Sequence, residues 1–164
     1  MRRSMWVSLL ALLSSLAIAG TVLAAQASVG TSIADGAAPH QQRGTLAEKV
    51  KFNVGDIKVQ TKGPIDVITQ EVKFAATVGN AGWHSHPGAV FVVVRTGTLT
   101  VWDEDCVMNE YSQGETFFEA GPDHPMLVKN VGATDVTLYV TYLVPEGTPA
   151  TGLRIPQPDR CGVQ

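Results

Sequence analysis

The stretch Gly82-Trp83-His84-Ser85-His86-Pro87-Gly88-Ala89, continued by Val90–Arg95 and the pair Thr96-Gly97, decides how the rest of the chain is read. His84 and His86 are one residue apart. On an extended strand, alternate side chains share a face, so both imidazoles point the same way and can meet one ion. Trp83 then points away from them, as packing. The run Val90–Val94 is continuously apolar and reads as a strand covered on both faces, with Thr96-Gly97 a tight hairpin into the next strand.

Outward from there, β-branched and aromatic residues recur in short runs: Val50–Val59, Ile65–Val78, Ala89–Arg95, Thr98–Asp103, Glu115–Glu119, Pro125–Asn130 and Thr134–Val144. Gly, Pro, Asn and Asp separate them, as in Lys62-Gly63-Pro64 and Gly121-Pro122-Asp123. Such regular strand and turn signals mark an all-β sandwich or barrel. The acidic triplet Asp103-Glu104-Asp105 reads as a solvated turn.

A third histidine, His124, follows the turn Gly121-Pro122-Asp123. Three neutral imidazoles form a typical set for a divalent transition metal, leaving positions open to water or substrate. His84, His86 and His124 are therefore the expected metal ligands. The alternative is a barrel that takes an apolar ligand with no metal. Glu119 reads as a solvated loop residue and Tyr111 as rim packing.

These residues resemble the cupin superfamily. The first motif of that family is matched by Gly82, His84, His86 and Gly97. The second is matched by Gly114-Glu115-Thr116-Phe117-Phe118, Gly121, His124 and, further on, Asn130. The resemblance covers about Thr45 to Pro145 and implies a double-stranded β-helix, a jelly-roll barrel enclosing the site. It departs at two places. The family's metal-binding Glu falls on Val90 or Phe91, and Glu119 replaces a proline. A site of three histidines without carboxylate would carry one extra positive charge and favour an anionic ligand. The implied cofactor is a divalent transition metal (iron, manganese, zinc, nickel or copper) and the implied partner is a small molecule. The family also admits a homodimer through outer sheet faces. Two functions follow from the resemblance: a metal-dependent enzyme of dioxygenase or isomerase type, or a non-catalytic module that binds a small molecule or metal.

The ends carry other information. Arg2 and Arg3, the uncharged apolar segment from Trp6 to Leu23 and the small-x-small site Ala25-Gln26-Ala27 read as a signal peptide spanning 1–27. Cleavage is expected after Ala27, with Ala24 next; an uncleaved membrane anchor is the alternative. Arg2-Arg3 only faintly resembles a twin-arginine signal. Residues 28–44, which include His40, read as a flexible spacer, 45–146 as the barrel and 147–164 as a tail. The chain is thus expected to be exported, periplasmic or secreted.

Setting aside Arg2 and Arg3 leaves ten of the twelve Lys and Arg against fifteen Asp and Glu. The basic residues read as scattered, which argues against nucleic acid or an anionic membrane surface as partner. Only an uncleaved signal segment would place the chain at a membrane. Cys106 and Cys161 make an even count, which in an exported protein favours a disulfide holding the tail to the body. Related small bacterial cupin-domain proteins carry a similar C-terminal cysteine, which supports the pairing. Two free thiols are the alternative.

Overall fold

The structure, a computed structural model, describes residues 41–163. The expected signal segment, most of the expected spacer and His40 lie outside them. Among the described residues, no helix is long and apolar enough to cross a membrane.

The chain is all-β. Strand β1 (Gln41–Leu46) begins four residues ahead of the expected barrel boundary. Then come β2 (Lys51–Val54), β3 (Ile57–Gln60), β4 (Ile65–Phe74), β5 (Asn80–Ser85) and β6 (Ala89–Thr96). They are followed by β7 (Thr98–Trp102), β8 (Met108–Ser112), β9 (Thr116–Glu119), β10 (Met126–Lys129) and β11 (Val136–Pro145). A single 3₁₀ turn (Ala150–Gly152) leads to β12 (Ile155–Pro156). Two five-stranded antiparallel sheets form, in the orders β1-β4-β11-β6-β9 and β12-β5-β10-β7-β8. The two strands β2 and β3 pair only with each other and stay exposed on both faces.

Alternation of buried and exposed residues along β4, β6 and β11 shows why the sequence folds this way. Ile68, Val90, Val92, Val94, Leu138, Val140 and Val144 point inward and meet Leu99, Val101 and Val128 of the other sheet. Fully burying each such side chain is worth ~1.5–3 kcal/mol. Two details differ from the reading of the sequence. The run Val90–Val94 is covered on one face only, since Phe91 and Val93 are exposed. A short apolar run does not by itself show how many of its faces are covered. The Thr96-Gly97 pair is also not a hairpin, because β6 and β7 lie in different sheets. Gly97, at φ 82°, turns the chain through the corner between them, where a Cβ would stand 2.9 Å from the Asp135 carbonyl oxygen.

Cys106 and Cys161 are joined in a disulfide that fixes the tail to the turn after β7. The tail continues along β5: Ile155 pairs with Ser85 and Pro156 with His84. The Gln157 N–H donates to the Trp83 carbonyl, and the Trp83 indole donates to the Val163 carbonyl.

Candidate metal centre

His84 lies on β5, with His86 just past its end, and both are buried. Their alternation holds: the two rings meet edge to face with centroids 4.9 Å apart. Each Nδ1 has a backbone carbonyl as partner, Gly82 for His84 at 2.8 Å and Leu153 for His86 at 2.5 Å. A carbonyl only accepts, so each Nδ1 carries the proton. In the neutral rings Nε2 is left with its lone pair facing the interior. This is how metal-binding histidines are commonly oriented by their surroundings.

The third member of the group is Glu119, at the end of β9. It is buried and faces the imidazoles from the opposite sheet. Its Oε2 stands 2.8 Å from Nε2 of His86 and 3.8 Å from Nε2 of His84. Despite that proximity, Oε2 is buried without a well-aligned hydrogen bond. The distance thus reports a close ionic contact rather than a settled donor–acceptor pair. One ligand atom from each of His84, His86 and Glu119 lies within 4.8 Å of the others. The donor set and the orphaned oxygen fit a divalent transition metal, since two imidazoles and a carboxylate make a facial triad with open positions.

This geometry does not reproduce the three-histidine group expected from the sequence. The structure brings His84 and His86 together but leaves His124 outside the group. The His124 side chain is 53% exposed, and its Nδ1 contacts Glu104 Oε1 at 2.9 Å. Glu119, read from sequence as solvated, takes the third place. The register supplies the reason. Glu119 pairs directly with Val90 across β9 and β6, and Val90 is one of the two positions where the resemblance expects the carboxylate. Residues facing each other across an antiparallel pair share a face with Cβ atoms ~5 Å apart. The neighbouring strand therefore delivers a carboxylate to the space the missing one would fill. A carboxylate is present after all, so the extra positive charge expected of a three-histidine site does not arise.

Electrostatics follow from burial. Burial pushes His84 down to about 4, against the opposing pull of Glu119. Burial works the same way on His86, but contact with Glu119 and the Leu153 carbonyl outweighs it and raises the value. Burial acts to raise Glu119; contact with His86 and the charges of both imidazoles overcome it and hold the carboxyl below its usual value. Without a metal, His86 and Glu119 therefore form a buried ion pair beside a neutral His84.

The group borders a cavity of about 380 Å³. Its walls are mostly apolar, from Val72, Phe74, Val92, Phe117, Leu138 and Val140. Besides the exposed Thr151, polar groups enter from three others: Gln70, Tyr142 and Arg154. Gln70 Nε2 donates to the Tyr142 hydroxyl oxygen at 2.9 Å. Burial, and then the negative Glu119, push Tyr142 well above the ordinary phenol value. Its hydroxyl therefore keeps its proton and can donate a hydrogen bond. None of these three was singled out from sequence, because each lies on a strand or tail far from the motifs. The remaining residues noted from sequence are structural. Asn130 is fully buried and donates to the carbonyls of Phe74, Ala75 and Thr134. Tyr111 packs on Phe117 with ring centroids 4.8 Å apart. Asp103 caps its own turn by accepting from the Asp105 and Val107 N–H groups.

No family model matches the chain, and no curated protein matches it. Among solved structures, an RmlC-like cupin family protein with a double-stranded β-helix fold from Methanocaldococcus jannaschii is 18% identical. That alignment covers 59% of this chain and 91% of that one, at a TM-score of 0.45. A DMSP lyase from Ruegeria pomeroyi is 16% identical over 50% of this chain and 40% of that one, at 0.45. The Cnp3 cupin domain of Schizosaccharomyces pombe is 12% identical over 58% and 59%, at 0.43. Identities this low carry no activity across. From its own coordinates the chain has the two-sheet barrel that the cupin resemblance implies, with the imidazole pair in place and the carboxylate supplied by the neighbouring strand.

Proposed function

We propose that this chain is an exported barrel that holds a divalent transition metal on His84, His86 and Glu119 and acts on a small molecule in the cavity beside it. The convergence of three buried ligand atoms, two of them on rings locked by backbone carbonyls, carries this reading. A bound metal would supply Lewis acidity or, if redox-active, dioxygen activation. The chain's own residues do the rest. The apolar walls exclude water and strengthen every charge interaction inside. Tyr142 presents a hydroxyl proton to the ligand, and Gln70 orients that hydroxyl. Export is supported by the disulfide, which persists in oxidising compartments, and by the amino-terminal sequence.

Elemental analysis of the protein, purified without a His tag and after exposure to iron, manganese, zinc, nickel and copper in turn, tests the metal site. About one equivalent is expected in the native chain and background in His86→Ala. Background metal in the native chain under every condition would refute the reading.

One observation favours capture without turnover as a second reading. Once His84, His86 and Glu119 are committed to a metal, no free general base lines the cavity among the described residues. A molecule that stabilises the loaded protein and is recovered unchanged, with no conversion across oxygenase and isomerase panels, would favour that reading.

A further inference from the structure

Arg154 is the one Lys or Arg facing the cavity among the described residues, and no described carboxylate pairs with it. It lies between the 3₁₀ turn and β12. Its Nε is buried without a hydrogen-bond partner, and no ion pair joins it to a described carboxylate. Glu119, the acid in the same cavity, is occupied by His86 and His84. The guanidinium reaches its place over Gly82, where a Cβ would stand only 3.1 Å from Nη2. Partial burial lowers the Arg154 value.

The charge balance calls for an anion in either state of the site. With a divalent metal on one carboxylate the centre retains one positive charge, and Arg154 adds another. Without metal, the His86–Glu119 pair is neutral and Arg154 still stands alone. A planar fork of N–H donors matches a carboxylate in two-point contact. The Tyr142 proton is a further donor within the same cavity, and the walls beyond are apolar.

From this juxtaposition we propose that the cavity takes a compact organic monocarboxylate with an apolar body, its carboxylate received by Arg154 and Tyr142. The substrate class deepens the metal reading, in which the metal faces the same ligand. The anion contact itself does not need the metal, so the two can fail separately.

The test is calorimetric titration of metal-free and metal-loaded protein with hexanoate, phenylacetate, the neutral hexanamide and inorganic phosphate. The carboxylates are expected to bind both forms and to exceed hexanamide and phosphate by at least about tenfold. In Arg154→Gln, carboxylate affinity should drop by about tenfold or more while bound metal is unchanged. Arg154→Lys should recover part of the loss, as a point charge without the fork. Should a variant fold poorly, the native protein still decides: the Arg154 Nε–H resonance must shift on adding hexanoate and stay in place with hexanamide. Equal binding of amide and acid, tightest binding of phosphate, or an unmoved Nε–H signal would overturn the proposal. Absence of metal with carboxylate binding intact would overturn only the metal reading.

Discussion

Two of the histidine–carboxylate contacts among the described residues have nearly equal length and very different surroundings. His86 and Glu119 meet at 2.8 Å with side chains 4% and 6% exposed. His124 and Glu104 meet at 2.9 Å with side chains 53% and 34% exposed. Water screens the outer pair, and such pairs contribute little. The inner pair lies where the dielectric is low and a second imidazole and a cavity adjoin it. Distance is shared; chemistry is not. The outer contact is a surface decoration, whereas the inner one belongs to a buried group whose ligand atoms lie close enough to hold an ion.

Several changes would break or sharpen this contrast. The largest effect is expected on reducing the disulfide or replacing Cys161 with Ser. The bridge closes a separation of 55 residues, and its loss should cost about 4 kcal/mol in the chain-entropy model. Denaturant titration reads that loss, and metal retention should weaken with it, because the tail carries the Leu153 carbonyl that orients His86. A stability change under ~1 kcal/mol would mean the tail is held without the bridge.

Next in size is Glu119→Gln. It keeps the shape and removes the anionic ligand, so metal affinity should fall by roughly a hundredfold. Competition against a chromogenic chelator measures it. Metal bound as tightly as before would place the third ligand elsewhere.

A third test uses pH. His86 is raised above the ordinary imidazole value of 6.5 in the metal-free protein. Stability from the His86–Glu119 contact is therefore complete below that ordinary value and is lost as pH rises through the raised one. Metal requires the proton to leave His86. Its affinity should thus fall by about tenfold per pH unit below the raised value, with proton release on binding. Calorimetry in buffers of different ionisation enthalpy counts that proton. A flat profile from pH 6 to 8 would contradict the ion pair.

The smallest effect belongs to the outer pair. His124→Ala should change stability by ~0.2–1 kcal/mol and leave metal content untouched. Loss of metal in this variant would return His124 to the ligand set.

Much of the fold was legible because glycine, proline and asparagine punctuate the strands so regularly. The imidazole pair was legible for a similar local reason, since a spacing of two on a strand needs no knowledge of its neighbours. What stayed hidden depends on pairing between distant strands. Glu119 borders Gly121-Pro122-Asp123 and looks like a loop residue. Only the β9–β6 register, which sets it opposite Val90, carries it inside. The run Val50–Val59 reads as one strand, yet Gly55 at φ 55° folds it into the β2–β3 pair. Four lysines, Lys49, Lys51, Lys58 and Lys62, lie along or beside that pair. Arg154 sits in a segment that looked like a mere tail and became a wall of the cavity.

That wall has a practical consequence. The last described residue, Val163, accepts the indole N–H of Trp83, the immediate neighbour of His84. A peptide joined directly after Val163 would start beside Trp83. A polyhistidine fusion there would offer competing imidazoles at the door of the site. Preparations meant to report native metal occupancy should carry their handle elsewhere or have it removed.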